Sequence, residues 1–270
     1  MTAARLVTAR RLERMARDLS DRDAAVLDTL ARVRVATTAQ LVALHFAGTA
    51  TPTAGIRSCQ RSLVRLANAR LVHALDRRQG GVRAGSSSTV WALGVAGQRL
   101  LRRGGPAGGL DRRRPWTPSL VFLAHRLAIT QTLVDLTTSS LSGRLLRFEA
   151  EPDSWRRYPG PGGGRLSCKP DAYALVRHDD YDEAWFLEVD RATESPTVIA
   201  RKASVYLQYL ASGREQATAG VFPWVLFLVP DEARRQVLVR TLAKVKAPDP
   251  KFFQVVLQSG VARLLLGGES

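Results

Sequence analysis

Apolar residues recur every three to four positions in three successive blocks near the start of the chain, the spacing of one buried helical face. In LSDRDAAVLDTLARVRV, Ala24, Leu27, Leu30 and Ala31 share such a face, and Ser20 followed by Asp23 makes a capping-box-like start. TTAQLVALHF predicts a second, short helix from Thr37 or Thr38 that carries Leu41, Leu44 and Phe46, and Gly48 to Pro52 predict a turn. AGIRSCQRSLVRLANARLV predicts a third helix. Ile56, Leu63, Leu66 and Leu71 form its apolar face, and Arg57, Arg61 and Arg65 lie at i, i+4 and i+8 on another. LVHALDRRQGGVRAGSSSTVWALG then holds two short strand patterns around a polar, Gly/Ser-rich loop, the pattern of a hairpin with a long tip, and VAGQRLLRR closes as a helix.

The pattern changes after RRGGPAGGLDRRRPWTP, whose glycines, prolines and arginines mark a linker. SLVFLAHRLAITQTLVDLTTSSL predicts a long helix with apolar residues Leu120, Leu123, Leu127, Leu133, Val134 and Leu136. Strand patterns follow at RLLRFEAE, KPDAYALVR and AWFLEVD, with PDSWRRYPGPGGGR between the first two as an irregular stretch. A helix at SPTVIARKASVYLQYLAS, a strand at VFPWVLFLV, a helix at PDEARRQVLVRTLAKV and a strand at FFQVVLQ complete the order α-β-β-β-α-β-α-β. The expected division is residues 1–103, a linker at 104–117, and residues 118–270.

Composition narrows the class. Of 270 residues, 45% are hydrophobic and 24% charged, the balance of a soluble globular chain. Two cysteines, Cys59 and Cys168, are too few for a disulfide framework or a structural zinc site. The longest apolar run, VFPWVLFLV, is far short of the ~20 residues of a membrane span. No apolar targeting segment opens the chain, and a cytoplasmic protein without a membrane partner is expected.

The net charge of +16 changes the picture because it is uneven. Residues 1–114 hold 21 arginines, no lysine and 7 acids, a net +14, whereas residues 115–270 hold 19 cations against 17 acids, a net +2. A basic segment of this kind points to nucleic acid. Three helices and a hairpin, in that order, predict an N-terminal winged helix-turn-helix that binds double-stranded DNA. Its third helix would present Arg57, Ser58, Gln60, Arg61 and Arg65 to the groove, and Arg77, Arg78 and Arg83 of the hairpin loop would meet phosphates. A row of arginines is also what a solvated helix face looks like.

In AWFLEVDRATES, Glu188 and Asp190 are two apart on a strand and so should point the same way. They hold a cation, answer nearby arginines, or reach water where the strand ends. Asp171 follows Pro170 at the start of the preceding strand, and Lys202 lies on the helix after. Carboxylates from adjacent strands with a nearby amine suit a hard divalent metal beside a phosphodiester, Asp171 and Glu188 as its ligands and Lys202 balancing developing charge. His125 reads as a packed histidine that could also line the cleft, Glu194 as an acid at a helix N-terminus or a site partner of Lys202, and Tyr206 and Tyr209 as neighbours of Lys202 on one face. Trp155 and Tyr158 read as core or loop anchors ahead of base-stacking residues.

At Pro170-Asp171, Glu188 and Lys202 the chain resembles the PD-(D/E)XK nuclease-like superfamily. KPDAYAL, FLEVDRATES and RKASVYLQY in that order are similar, more closely, to the replication-relaxation family of actinobacterial plasmids and mobile elements. The resemblance implies an α+β or α/β two-domain protein, with an N-terminal winged helix-turn-helix and a C-terminal restriction-endonuclease-like αβββαβ core. It also implies DNA binding in plasmid replication, relaxation or transfer, with Mg²⁺ or Mn²⁺ as cofactor if the core is active. Asp190 stands where the superfamily pattern has lysine; either Lys202 would supply the amine from a different backbone position, or the site is degenerate and its carboxylates pair with Arg191, Arg201 or Lys202. Three readings stay open: a DNA-binding accessory protein with a nuclease-like domain, an active Mg²⁺- or Mn²⁺-dependent nickase or endonuclease, and a winged-helix transcriptional regulator. A homodimer and plasmid replication or mobilisation proteins are the expected protein partners. Asp171, Glu188, Lys202 and Asp190 are the candidate catalytic residues.

Overall fold

A computed structural model describes residues 8–75, 89–104 and 119–267. The chain has mixed α and β structure and divides into two compact units, residues 1–130 and 131–270. The expected linker falls largely outside the described residues, and Arg77, Arg78 and Arg83 fall entirely outside them.

In the first unit, helices α1 (Ala9–Asp18), α2 (Asp21–Val33), α3 (Thr38–His45) and α4 (Pro52–Asn68) are followed by α5 (Val95–Gly104). Strands β1 (Val35–Thr37), β2 (Val72–Ala74) and β3 (Val90–Leu93) form an antiparallel sheet in the order β1-β3-β2. Each early helix starts on a hydroxyl that takes an N-terminal amide otherwise without a partner. Ser20 accepts from Asp23 N–H, Thr37 forms a full capping box with Gln40, and Thr51 accepts from Ala54 N–H. Proline at the first position of α4 needs no partner for a missing N–H, so the helix begins two residues earlier than its apolar pattern suggested.

Buried Leu27, Leu30, Leu41, Phe46, Cys59, Leu63 and Leu66 form the core, and each large side chain contributes ~2 kcal/mol by leaving water. Ile56 is not among them. It is 39% exposed, and Cys59 takes the inward position that Ile56 was expected to hold. The Arg-rich leader forms α1, with Leu12 buried, and β1 is a strand too short to show alternation in sequence. Gly94 is required by crowding, since a Cβ there would stand 2.2 Å from the Arg70 carbonyl oxygen.

The second unit carries a five-stranded sheet in the order β10-β9-β8-β7-β4. Its strands are β4 (Arg144–Ala150), β7 (Ala172–Arg177), β8 (Asp182–Val189), β9 (Trp224–Val229) and β10 (Phe253–Leu257). β4, β7 and β8 pair antiparallel, and β8, β9 and β10 pair parallel. Parallel neighbours need crossovers; α7 (Pro196–Ala211) with α8 (Arg214–Ala219), and then α9 (Glu232–Leu242), supply them. α7 and α9 cover the sheet face formed by Ala184, Phe186, Val225, Phe227 and Val229. The long helix α6 (Leu120–Thr138), these strands and α7 and α9 match the expected order. The irregular stretch does not: it folds into a two-stranded ribbon, β5 (Arg156–Pro159) and β6 (Arg165–Cys168), turned by glycines at 160 and 162–164. A short helix, α10 (Val261–Leu266), follows β10.

Candidate functional site

On α4, Arg57, Gln60, Arg61, Val64, Arg65 and Asn68 line a shallow open groove. Arg57 and Arg61 are exposed and have no ion-pair partner among the described residues. Arg65 reaches instead to Asp23 of α2, 2.5 Å away, and Ser62 donates to the same carboxylate. Burial pushes Asp23 up, but Ser62, Arg65 and Ser20 overcome it and hold the carboxyl below its ordinary value. Ser58 is half-buried. The helix thus presents two unpaired arginines, while a third ties it to α2.

In the second unit, antiparallel register pairs Ala172 with Leu187, so Asp171, one residue before β7, stands opposite Glu188. Both are buried, at 8% and 3% exposure. Asp171 Oδ2 accepts from Val189 N–H at 2.7 Å. Glu188 lies two residues beyond Phe186, on the face that α7 covers, and both its oxygens are engaged there. Tyr206 O–H donates to Oε1 at 2.6 Å and Lys202 Nζ to Oε2 at 2.8 Å. Lys202 and Tyr206 are four apart on α7 and so share one face. Lys202 also pairs with Glu194 at 3.0 Å, so Glu194 serves the cluster as well as preceding the helix.

Two carboxylates therefore pair with one ammonium, and the charge of Asp171 acts on it from the neighbouring strand. Burial and the Asp171 charge push Glu188 up to about 7 against the pull of Lys202 and Tyr206. Burial alone would lower Lys202, but Glu188 and Asp171 overcome it and hold the amine protonated. Tyr206, buried beside Glu188, is shifted well above its ordinary value and stays a donor. Burial pushes Cys59 up to about 12 and Cys168 higher still, so neither is a ready thiolate.

Asp190 goes elsewhere. It lies just beyond β8, and Arg234 of α9 forks onto it, Nε to Oδ2 and Nη2 to Oδ1 at 3.1 Å. Arg234 Nη2 also donates to the Glu194 carbonyl at 2.7 Å, and Ala192 N–H donates to Asp190 Oδ1 at 3.1 Å. Of the four candidate catalytic residues, the structure gathers Asp171, Glu188 and Lys202 and commits Asp190 to holding the strand end. Arg234 had no sequence signal, being 44 residues away in a helix that carries two further arginines, Arg235 and Arg240.

The family model for replication-relaxation matches residues 27–225. The chain belongs to the replication-relaxation family. No curated protein and no solved structure matches it. The span shared with the replication-relaxation family contains α4, Asp171, Glu188, Asp190 and Lys202, but ends before α9, so Arg234 lies beyond it. No described helix is long and apolar enough to cross a membrane.

Proposed function

We propose that the protein binds double-stranded DNA and acts in the replication, relaxation or transfer of a plasmid or mobile element. In this reading the first unit is a winged helix-turn-helix with α4 as its recognition helix and β2 and β3 as the base of the wing. The second is a restriction-endonuclease-like core whose Asp171, Glu188 and Lys202 form a divalent-cation centre. One observation carries it: Lys202 Nζ lies 2.8 Å from Glu188, with Asp171 opposite on the neighbouring strand.

The residues fit a hard divalent ion. Asp171 and Glu188 offer oxygen donors from adjacent strands, facing each other across the β7–β8 pair, which is the donor chemistry that a hard cation takes. When bound, Mg²⁺ or Mn²⁺ would polarise a phosphodiester and lower the pKa of water. The chain's own groups do the rest. Tyr206 orients the Glu188 carboxylate, Lys202 stays protonated to stabilise charge that builds on the phosphate, and the Asp190–Arg234 fork fixes the end of β8.

A second reading is favoured by the same cluster: Lys202 and Tyr206 already take both Glu188 oxygens, which leaves a metal-free scaffold for a purely DNA-binding protein. Mn²⁺ titration followed by electron paramagnetic resonance separates the two. The cation reading expects one site in wild type, lost in Asp171→Asn. No loss of free Mn²⁺ signal in wild type would leave the scaffold reading.

A further inference from the structure

The β5–β6 ribbon has two unlike faces. Inward, Tyr158 and Cys168 are buried, and Tyr158 packs on Tyr209 of α7 with ring centroids 4.8 Å apart. Arg156 is gripped by Glu149 of β4 at 3.1 Å and by Glu215 of α8 at 3.3 Å, with its guanidinium over Tyr173 and Phe186. These contacts fix the ribbon on the core.

Outward, register sets Arg157 opposite Ser167 and Pro159 opposite Arg165, and one step on it sets Trp155 opposite Lys169. Arg157, Arg165 and Lys169 are exposed, and none has an ion-pair partner among the described residues. The Lys169 ammonium lies 4.8 Å from the centre of the Trp155 ring, which shields it without neutralising it. From Trp155 to Lys169 the chain has four cations and no acid, although residues 115–270 are nearly neutral. A merely solvated face of such a unit would mix signs. At the turn, Gly162 and Gly163 hold φ of 79° and 83° with open space around them, so these two positions offer bare backbone to a polyanion.

We infer that this outward face is a second binding surface for the backbone of double-stranded DNA. It rests on the DNA-binding reading above and extends it to the second unit. β6 runs on through Lys169 and Pro170 into Asp171, so a duplex held by the ribbon is held beside the carboxylate cluster. The ribbon meets phosphates, because guanidinium and ammonium groups on a two-stranded ribbon read charge without base identity.

Fluorescence anisotropy of the full chain with a labelled duplex, across a KCl series, tests it. The logarithmic salt slope falls by about 0.9 for each phosphate whose cation is removed, hence by about 3 for Arg157→Ala/Arg165→Ala/Lys169→Ala. Arg157→Lys/Arg165→Lys keeps the wild-type slope. Arg57→Ala/Arg61→Ala reports separately on α4 and lowers the slope by about 2. A ribbon variant with unchanged slope, beside an α4 variant with a lowered one, overturns the ribbon alone. An unchanged α4 variant beside a weakened ribbon variant overturns the recognition-helix reading alone, and no duplex binding by wild type overturns both. Loss of single-stranded RNA binding with duplex binding intact assigns the ribbon to RNA and ends the proposal. Should the triple variant fail to fold, Arg165→Gln and Lys169→Gln singly each lower the slope by about 0.9, and no change in either has the same overturning force.

Discussion

Lys202→Met removes the only ammonium that touches Glu188 among the described residues and keeps most of the side-chain length. Glu188 is 3% exposed, stands opposite Asp171, and would retain only Tyr206 as a hydrogen-bond donor. Removing one partner of a buried pair costs about 3–5 kcal/mol while the other charge stays ionised, so the comparison is made well above the value of about 7 to which burial pushes Glu188. Lys202 is itself one-third exposed, so water reaches the vacated position, and the lower end, about 3 kcal/mol, applies here. For a unit of this size that corresponds to roughly 10 °C in melting temperature. Urea unfolding followed by tryptophan fluorescence measures it, since Trp155, Trp185 and Trp224 all lie in the second unit. Glu188→Gln in the same chain removes the stranded charge, so the double variant should recover about 2 kcal/mol of the loss. A single-variant cost below about 1 kcal/mol, or a double variant no more stable than the single, would refute the reasoning that Lys202 compensates a buried carboxylate.

Arg234→Met should cost about 3 kcal/mol by stranding Asp190, whose side chain is 2% exposed, and Asp190→Asn/Arg234→Met should cost less; calorimetric melting compares them. Asp23 titrates below its ordinary value of 3.8, so its contribution is present above that pH and lost as pH falls through its folded value. Acid unfolding of the first unit should therefore steepen below about pH 4, and Asp23→Asn should flatten that limb in a circular dichroism titration. Gly94→Ala places a methyl against the Arg70 carbonyl and should lower stability by about 1–3 kcal/mol in urea denaturation, through forced backbone shift.

Elements decided within a few residues were legible in the sequence. Caps at Ser20 and Thr37 are of this kind, as are the apolar runs that became β7, β8, β9 and β10. Asp171 opposite Glu188 was also legible, because an acid at a strand start faces an acid near the next strand's end when the two strands pair as a hairpin, whereas the approach of Lys202 needed α7 to pack over that face. What stayed hidden was long-range. Asp23 draws Arg65 from 42 residues away and Asp190 draws Arg234 from 44, and nothing in either helix distinguishes those arginines from their neighbours. Glycines and prolines masked the ribbon, whose pairing depends on the core under Tyr158 and Cys168 more than on any alternation. Two carboxylates two apart suggested one shared task, but Asp190 lies past the end of β8, where α9 claims it.

Asp171 and Glu188 are proposed to hold a divalent cation that acts on DNA. Incubation of supercoiled plasmid with wild type, Asp171→Asn and Glu188→Gln, each with Mn²⁺ and with EDTA, tests it most directly. If the cation centre works, open-circular plasmid accumulates only with wild type and Mn²⁺. Equal conversion by all three proteins, or none by a wild type that binds the plasmid, would contradict it.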